Sequence, residues 1–257
     1  MASEILPVQA VVVNSVRLTY REVGDPTGPL VMLLHGSTSD AATWERFSRR
    51  LAASGYRSIS LDLRGHATSA RTADYRLSSI RDDVLGLLET LGSPDVTLIG
   101  HSVGAYAALA AALHTPGRVA RLVLEDLAAP PQVAGSLGVT GLLRGLAAVT
   151  GMLAQRRSYD LRAVASILRQ LSRPDPQWWA RLGDVRTPTL VLSGGPSSCS
   201  PPQRLAAVTA AIPGARLATI PVGHRVHSLA PDAFADAVLA FLTGSARPMQ
   251  PAVLSPR

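Results

Sequence analysis

Lysine is absent from this 257-residue chain, so all 25 basic residues are arginine. Against 18 acidic residues they leave a formal charge of +7, which raises the question of a nucleic-acid partner. The arginines are scattered, with no basic run and no interleaved aromatics, and that pattern argues against nucleic acid. Cys199 is the single cysteine, which excludes an internal disulfide and a cysteine-rich metal site. The first residues lack the basic stretch and apolar run of a secretory leader. The longest uncharged run, 96–117, has the length of a membrane span but is broken by Gly100, Ser102, Gly104 and Pro116-Gly117. A soluble, cytoplasmic chain with no membrane partner is expected.

What the chain does have is apolar content, 47% hydrophobic against 17% charged, enough to bury a full core. Short β-branched runs alternate with helical patterns. Residues 11–13, 16–20, 30–34, 56–63, 96–99 and 121–124 read as strands. Trp44, Phe47 and Leu51 form one helical stripe, and Ile80, Val84, Leu87, Leu88 and Leu91 another, while 105–114 is an alanine-rich helix. The rhythm breaks after Ala128, where 130–186 is almost all helical pattern. It resumes with a strand at 189–192, a helix at 202–211, a strand at 217–220 and a helix at 233–242. The alternation predicts an α/β fold, a mostly parallel sheet with helices on both faces. The core comprises 1–129 and 186–244, with a small helical insertion at 130–185 and a tail at 245–257.

Gly100-His101-Ser102-Val103-Gly104 fits the pattern G-x-S-x-G, which is weak by itself. Its context is stronger, because a strand leads straight in and a helix begins straight after. A serine at such a turn stands above the sheet, and the Val103 N–H at the helix start faces a developing oxyanion. A serine hydroxyl needs a base to take its proton. His224 lies just beyond the last strand, on the rim where catalytic groups of a parallel sheet gather, and His227 is its competitor. A His224/His227 metal pair lacks a third ligand nearby.

At this point the chain resembles the α/β-hydrolase superfamily over nearly its whole length. The resemblance rests on Leu33-Leu34-His35-Gly36, Leu61-Asp62-Leu63-Arg64-Gly65-His66, the motif at 100–104 and Gly223-His224. It implies a triad in the order Ser, then Asp or Glu, then His. It also implies a second oxyanion N–H from the loop after Gly36, from Ser37, with His35 structural, and it places the 130–185 insertion as a cap over the active-site mouth. Most members carry the acid just after strand seven. Here the loop 193–200 holds no carboxylate, and Ser198 stands about where that aspartate would be. The end of strand six offers Glu125-Asp126, an arrangement similar to that of haloalkane dehalogenases and pancreatic-type lipases. Strand alternation lets only one of the two face His224. Asp126 is preferred and Glu125 is the runner-up.

A serine at 102 excludes the aspartate-nucleophile reactions of the fold, epoxide hydrolysis and dehalogenation. The expected activity is hydrolysis of an ester, lactone or thioester through an acyl-enzyme on Ser102, with no metal or organic cofactor. A cofactor-free C–C hydrolase, lyase or perhydrolase on the same triad stays open, as does a catalytically silent binding protein. The insertion carries Arg144, Arg156, Arg157, Arg162, Arg169, Arg173 and Arg181 against Asp160, Asp175 and Asp184. The first explanation of that surplus is the solvated faces of amphipathic helices, and the sharper one is a small-molecule substrate that is anionic or carrier-bound. Trp178-Trp179 reads as cap packing, and the apolar runs 138–146 and 148–153 suggest an acyl pocket. Ala67 and Ala105 stand where relatives carry glycine.

Overall fold

The computed structural model describes residues 6–93, 95–133 and 158–244. The expectations for 138–146, 148–153, Arg144, Arg156, Arg157 and the tail at 245–257 lie outside the described residues.

One eight-stranded sheet organises the chain: β1 (Val8–Val13), β2 (Val16–Val23), β3 (Leu30–Leu34), β4 (Arg57–Asp62), β5 (Val96–His101), β6 (Val119–Glu125), β7 (Thr189–Ser193) and β8 (Arg216–Thr219). Their spatial order is β1-β2-β4-β3-β5-β6-β7-β8. Pairing is antiparallel from β1 to β2 and from β2 to β4, and parallel across the rest. The helices are α1 (Glu45–Ala53), α2 (Leu77–Leu91), α3 (Val103–His114), α4 (Leu161–Leu171), α5 (Pro176–Ala180), α6 (Pro202–Ala211), α7 (Val226–Leu229) and α8 (Pro231–Leu242).

The two faces of the sheet can be read from strand alternation. Met32, Leu34 and Leu98 point into a core with Val84 and Leu87 of α2 and Ala105 and Leu109 of α3. Val31, Leu33 and Ile99 point the other way, onto Phe47 and Leu51 of α1 and Phe234 and Val238 of α8. A sheet covered on both sides needs near-continuous apolar strands, and every residue of β3 and β7 is buried.

The described part of the insertion is helical and packs against the core. An isolated bridge joins His66 to Tyr159, the Asp160 N–H donates to the Gly65 carbonyl at 2.7 Å, and the Tyr75 hydroxyl donates to Asp160 at 2.8 Å. Trp178 is buried and stacks on Tyr106, with ring centroids 5.9 Å apart. The Trp179 indole N–H donates to the Pro130 carbonyl at 3.0 Å, so both tryptophans serve packing. Among the described residues no helix is long and apolar enough to cross a membrane.

Beneath this region lies a buried ion pair. Arg64 Nε and Nη2 donate to the two Asp83 oxygens at 2.6 Å each, and the side chains are 6% and 1% exposed. Asp83→Ala leaves a guanidinium uncompensated in the interior and is expected to cost about 3–5 kcal/mol, read as a lower denaturation midpoint. A change under about 1 kcal/mol would show that water reaches the pair.

Candidate active site

Hydrogen bonding continues past the strand ends and brings the site together. The Ser102 N–H donates to the Glu125 carbonyl at 2.9 Å, and the Asp126 N–H to the Leu192 carbonyl at 2.7 Å. Beyond β7, Ile220 N–H donates to Ser193 at 2.9 Å and Gly223 N–H to Gly194 at 2.9 Å. Each rung ties the exit of one strand to its neighbour, so residues 102, 126, 194 and 224 line one rim.

Ser102 sits between β5 and α3 at φ 54°, ψ −115°, a sparsely populated conformation for a residue with a side chain. The turn is tight enough that a Cβ at Gly100 would lie 2.3 Å from Gly104 backbone, and one at Gly104 would lie 2.2 Å from the Leu34 carbonyl. Glycines at both positions therefore set the strand-to-helix turn, and α3 points its N-terminus, with the Val103 N–H, at the rim.

Asp126 is fully buried, at φ 46°, one residue past β6. The left-handed turn, rather than alternation along the strand, separates it from Glu125. Its Oδ1 accepts from the Gly194 N–H at 2.9 Å, and its Oδ2 accepts from His224 Nδ1 at 2.5 Å and from the Ser198 hydroxyl. Burial disfavours the charged form of His224, yet the Asp126 hydrogen bond, followed by the Cys199 thiol, pushes its pKa from 6.5 up to about 10. The ring is 29% exposed and thus open to the rim.

Glu125, the alternative acid, belongs to a different pair. It is fully buried and accepts from His227 Nδ1 at 2.7 Å and from the His227 backbone N–H at 2.9 Å. His227 Nε2 lies 2.8 Å from the Thr43 hydroxyl, and its ring packs on Trp44 with centroids 4.3 Å apart. Neither residue reaches the Asp126–His224 pair through a hydrogen bond, and the arrangement anchors α7 to the sheet. His101 lies between the two pairs, its centroid 4.6 Å from that of His224 and 5.1 Å from that of His227. Its Nε2 donates to the His224 carbonyl at 2.8 Å, and burial, followed by the two neighbouring imidazoles, holds its pKa well below the usual value. This contact couples the residue before Ser102 to the backbone of His224. The sequence carries no signal for it, since position 101 of the motif is unconstrained.

The loop after β3 is clamped by the loop after β4. The Leu63 N–H donates to His35 Nε2 at 3.0 Å, which leaves Nδ1 to donate to the Gly36 carbonyl at 2.8 Å. Burial holds His35 neutral, its pKa well below the usual range. His66 Nε2 lies 2.9 Å from the Ser37 carbonyl, and the Ala41 N–H donates to Asp62 at 2.7 Å. Ser37 is thereby fixed beside Gly36, where an added Cβ would lie 3.4 Å from the Ser102 Cβ.

A family model described as alpha/beta hydrolase fold matches residues 29–137. The chain is 28% identical over 261 residues to the sn-1-specific diacylglycerol lipase ABHD11 of Mus musculus, across 85% of this chain and 82% of that one. It is 37% identical over 108 residues to an epoxide hydrolase of Caballeronia sordidicola, across 41% of this chain and only 32% of that one. The crystal structure of a hydrolase from Pseudomonas aeruginosa is similar with a TM-score of 0.77 and 26% identity, covering 94% of this chain and 99% of that one.

Proposed function

Because this chain belongs to the α/β-hydrolase superfamily, we propose that it is a serine hydrolase that cleaves an ester, lactone or thioester through an acyl-enzyme on Ser102. The observation that carries this reading is the buried Asp126 carboxylate 2.5 Å from His224 Nδ1, at a strand end adjacent to the strained Ser102. With Nδ1–H held by Asp126, the other ring nitrogen of His224 is presented as the base. Ser102 Oγ attacks the carbonyl carbon as its proton passes to that nitrogen. The oxyanion takes hydrogen bonds from the N–H groups of Val103 and Ser37. Collapse breaks the bond to the alkoxy or thiolate leaving group, which departs with the proton from His224. Water then repeats the cycle on the acyl-enzyme, giving the acid and free Ser102. One similar protein is an epoxide hydrolase. A serine hydroxyl, however, adds to acyl carbonyls, and its acyl ester is returned by water without a further group. A fluorophosphonate tests the reading: one equivalent of label on Ser102 is expected in the wild type and none in Ser102→Ala. An unlabelled wild type would remove it.

The substrate is proposed to carry a negative charge. Arg169, Arg173 and Arg181 are exposed on the described part of the insertion. Arg204 is half-buried at the start of α6 and donates to the Ala129 carbonyl at 3.3 Å. No carboxylate pairs with it among the described residues, 134–157 contain no acid, and burial lowers its pKa. Ala129 follows Ala128, whose N–H donates to the Ser102 carbonyl at 3.3 Å, so Arg204 holds the backbone segment that is bonded to Ser102. Raising salt from low to high ionic strength is expected to lower kcat/KM for an anionic ester about three- to ten-fold more than for its neutral counterpart. Equal salt dependence would defeat this part of the reading.

A further inference from the structure

The loop 194–200 carries no acidic residue, yet it is built around one. Its Gly194 N–H donates to Asp126 Oδ1 at 2.9 Å. The Ser200 hydroxyl donates to the Asp126 carbonyl at 2.9 Å and lies 3.3 Å from that of Leu127. The Ser198 hydroxyl donates to Asp126 Oδ2, the oxygen that also accepts the hydrogen bond from His224, and lies 3.5 Å from His224 Nδ1. Ser198 is 1% exposed, and its Oγ in turn accepts from the Ser200 N–H at 3.0 Å. Its own backbone N–H is tied to the Gly195 carbonyl at 3.0 Å. A Cβ at Gly194 would lie 2.1 Å from the Gly223 carbonyl, so this loop is pressed against the segment that bears His224 and has little freedom to drift.

We propose that Ser198 is the positioning residue of the Asp126–His224 pair. This rests on the triad reading given above. A carboxylate bonded at Oδ2 by His224 alone can rotate about its Cβ–Cγ bond. The Ser198 O–H and the Gly194 N–H restrain its two oxygens from one side and leave the face toward His224 as the remaining direction. The hydroxyl also draws charge from Oδ2 and so moderates how strongly that oxygen holds the imidazolium.

The test compares wild type, Ser198→Ala and Asp126→Asn on p-nitrophenyl acetate across pH. Ser198→Ala is expected to lower kcat about ten-fold with KM within two-fold, and to move the pH limb of kcat/KM upward as Oδ2 becomes more basic. If Ser198→Ala matches wild type in kcat and pH limb, the positioning role is overturned. Wild-type activity in Asp126→Asn is a different failure, since it removes the triad reading itself.

Discussion

Ser102→Ala is expected to lower kcat by about 10⁴–10⁶ while KM moves little, because the covalent intermediate loses its attachment point. The change is confined to one atom. The backbone bonds from Ser102 N–H to Glu125 and from Tyr106 N–H to Ser102, at 2.9 and 3.1 Å, do not involve the hydroxyl. The φ of 54° is as unfavourable for alanine as for serine, so melting should stay close to wild type. Residual turnover above water comes from the oxyanion donors and from binding. Steady-state and single-turnover assays of the purified variant check this. A kcat within 100-fold of wild type would mean that another group attacks the substrate.

The second large effect is expected at Asp126. Asp126→Asn keeps the shape but offers the ring a neutral partner that no longer stabilises the imidazolium and favours the wrong tautomer, at a cost of about 10³–10⁴ in kcat. The pH dependence should move with it. General-base catalysis needs neutral His224, so kcat/KM in the wild type is expected to rise with pH toward the ring's pKa of about 10. Asp126→Asn removes the largest influence that raises that pKa, and the limb shifts toward acid. The linked stability has the matching sign. A raised folded-state pKa means the pair's contribution is complete below about 6.5 and fades as pH climbs through about 10. Glu125→Gln is expected to lose stability, about 1–3 kcal/mol from the buried His227 bond, with kcat within ten-fold of wild type. If the two variants exchanged these phenotypes, Glu125 would be the acid.

Much of the architecture is legible because it is local. The apolar runs of β3, β5 and β7 announce buried parallel strands, and Trp44, Phe47 and Leu51 announce the covered face of α1. The turn at 100–104 is visible for the same reason, since strand, glycines, serine and helix are contiguous. Strand ends are less visible: the run 217–220 suggests β8 one residue later than it forms, and α7 follows His224 without a helical stripe to signal it. The proposed acid is only half legible. Two carboxylates at the end of β6 are evident, but the left-handed φ of Asp126 is not, and that turn sends 125 and 126 to different histidines. The roles of His101 and Ser198 arise from contacts across 123 and 72 positions of sequence, which no spacing encodes.

The rungs that join 102 to 125, 126 to 192 and 220 to 193 graft the proposed reactive groups onto the sheet's own ladder. Their amide hydrogens should therefore exchange with deuterated solvent as slowly as those of central strands, released only when the entire domain opens. Heat inactivation then coincides with global melting instead of preceding it, and the enzyme gives no early warning before it fails.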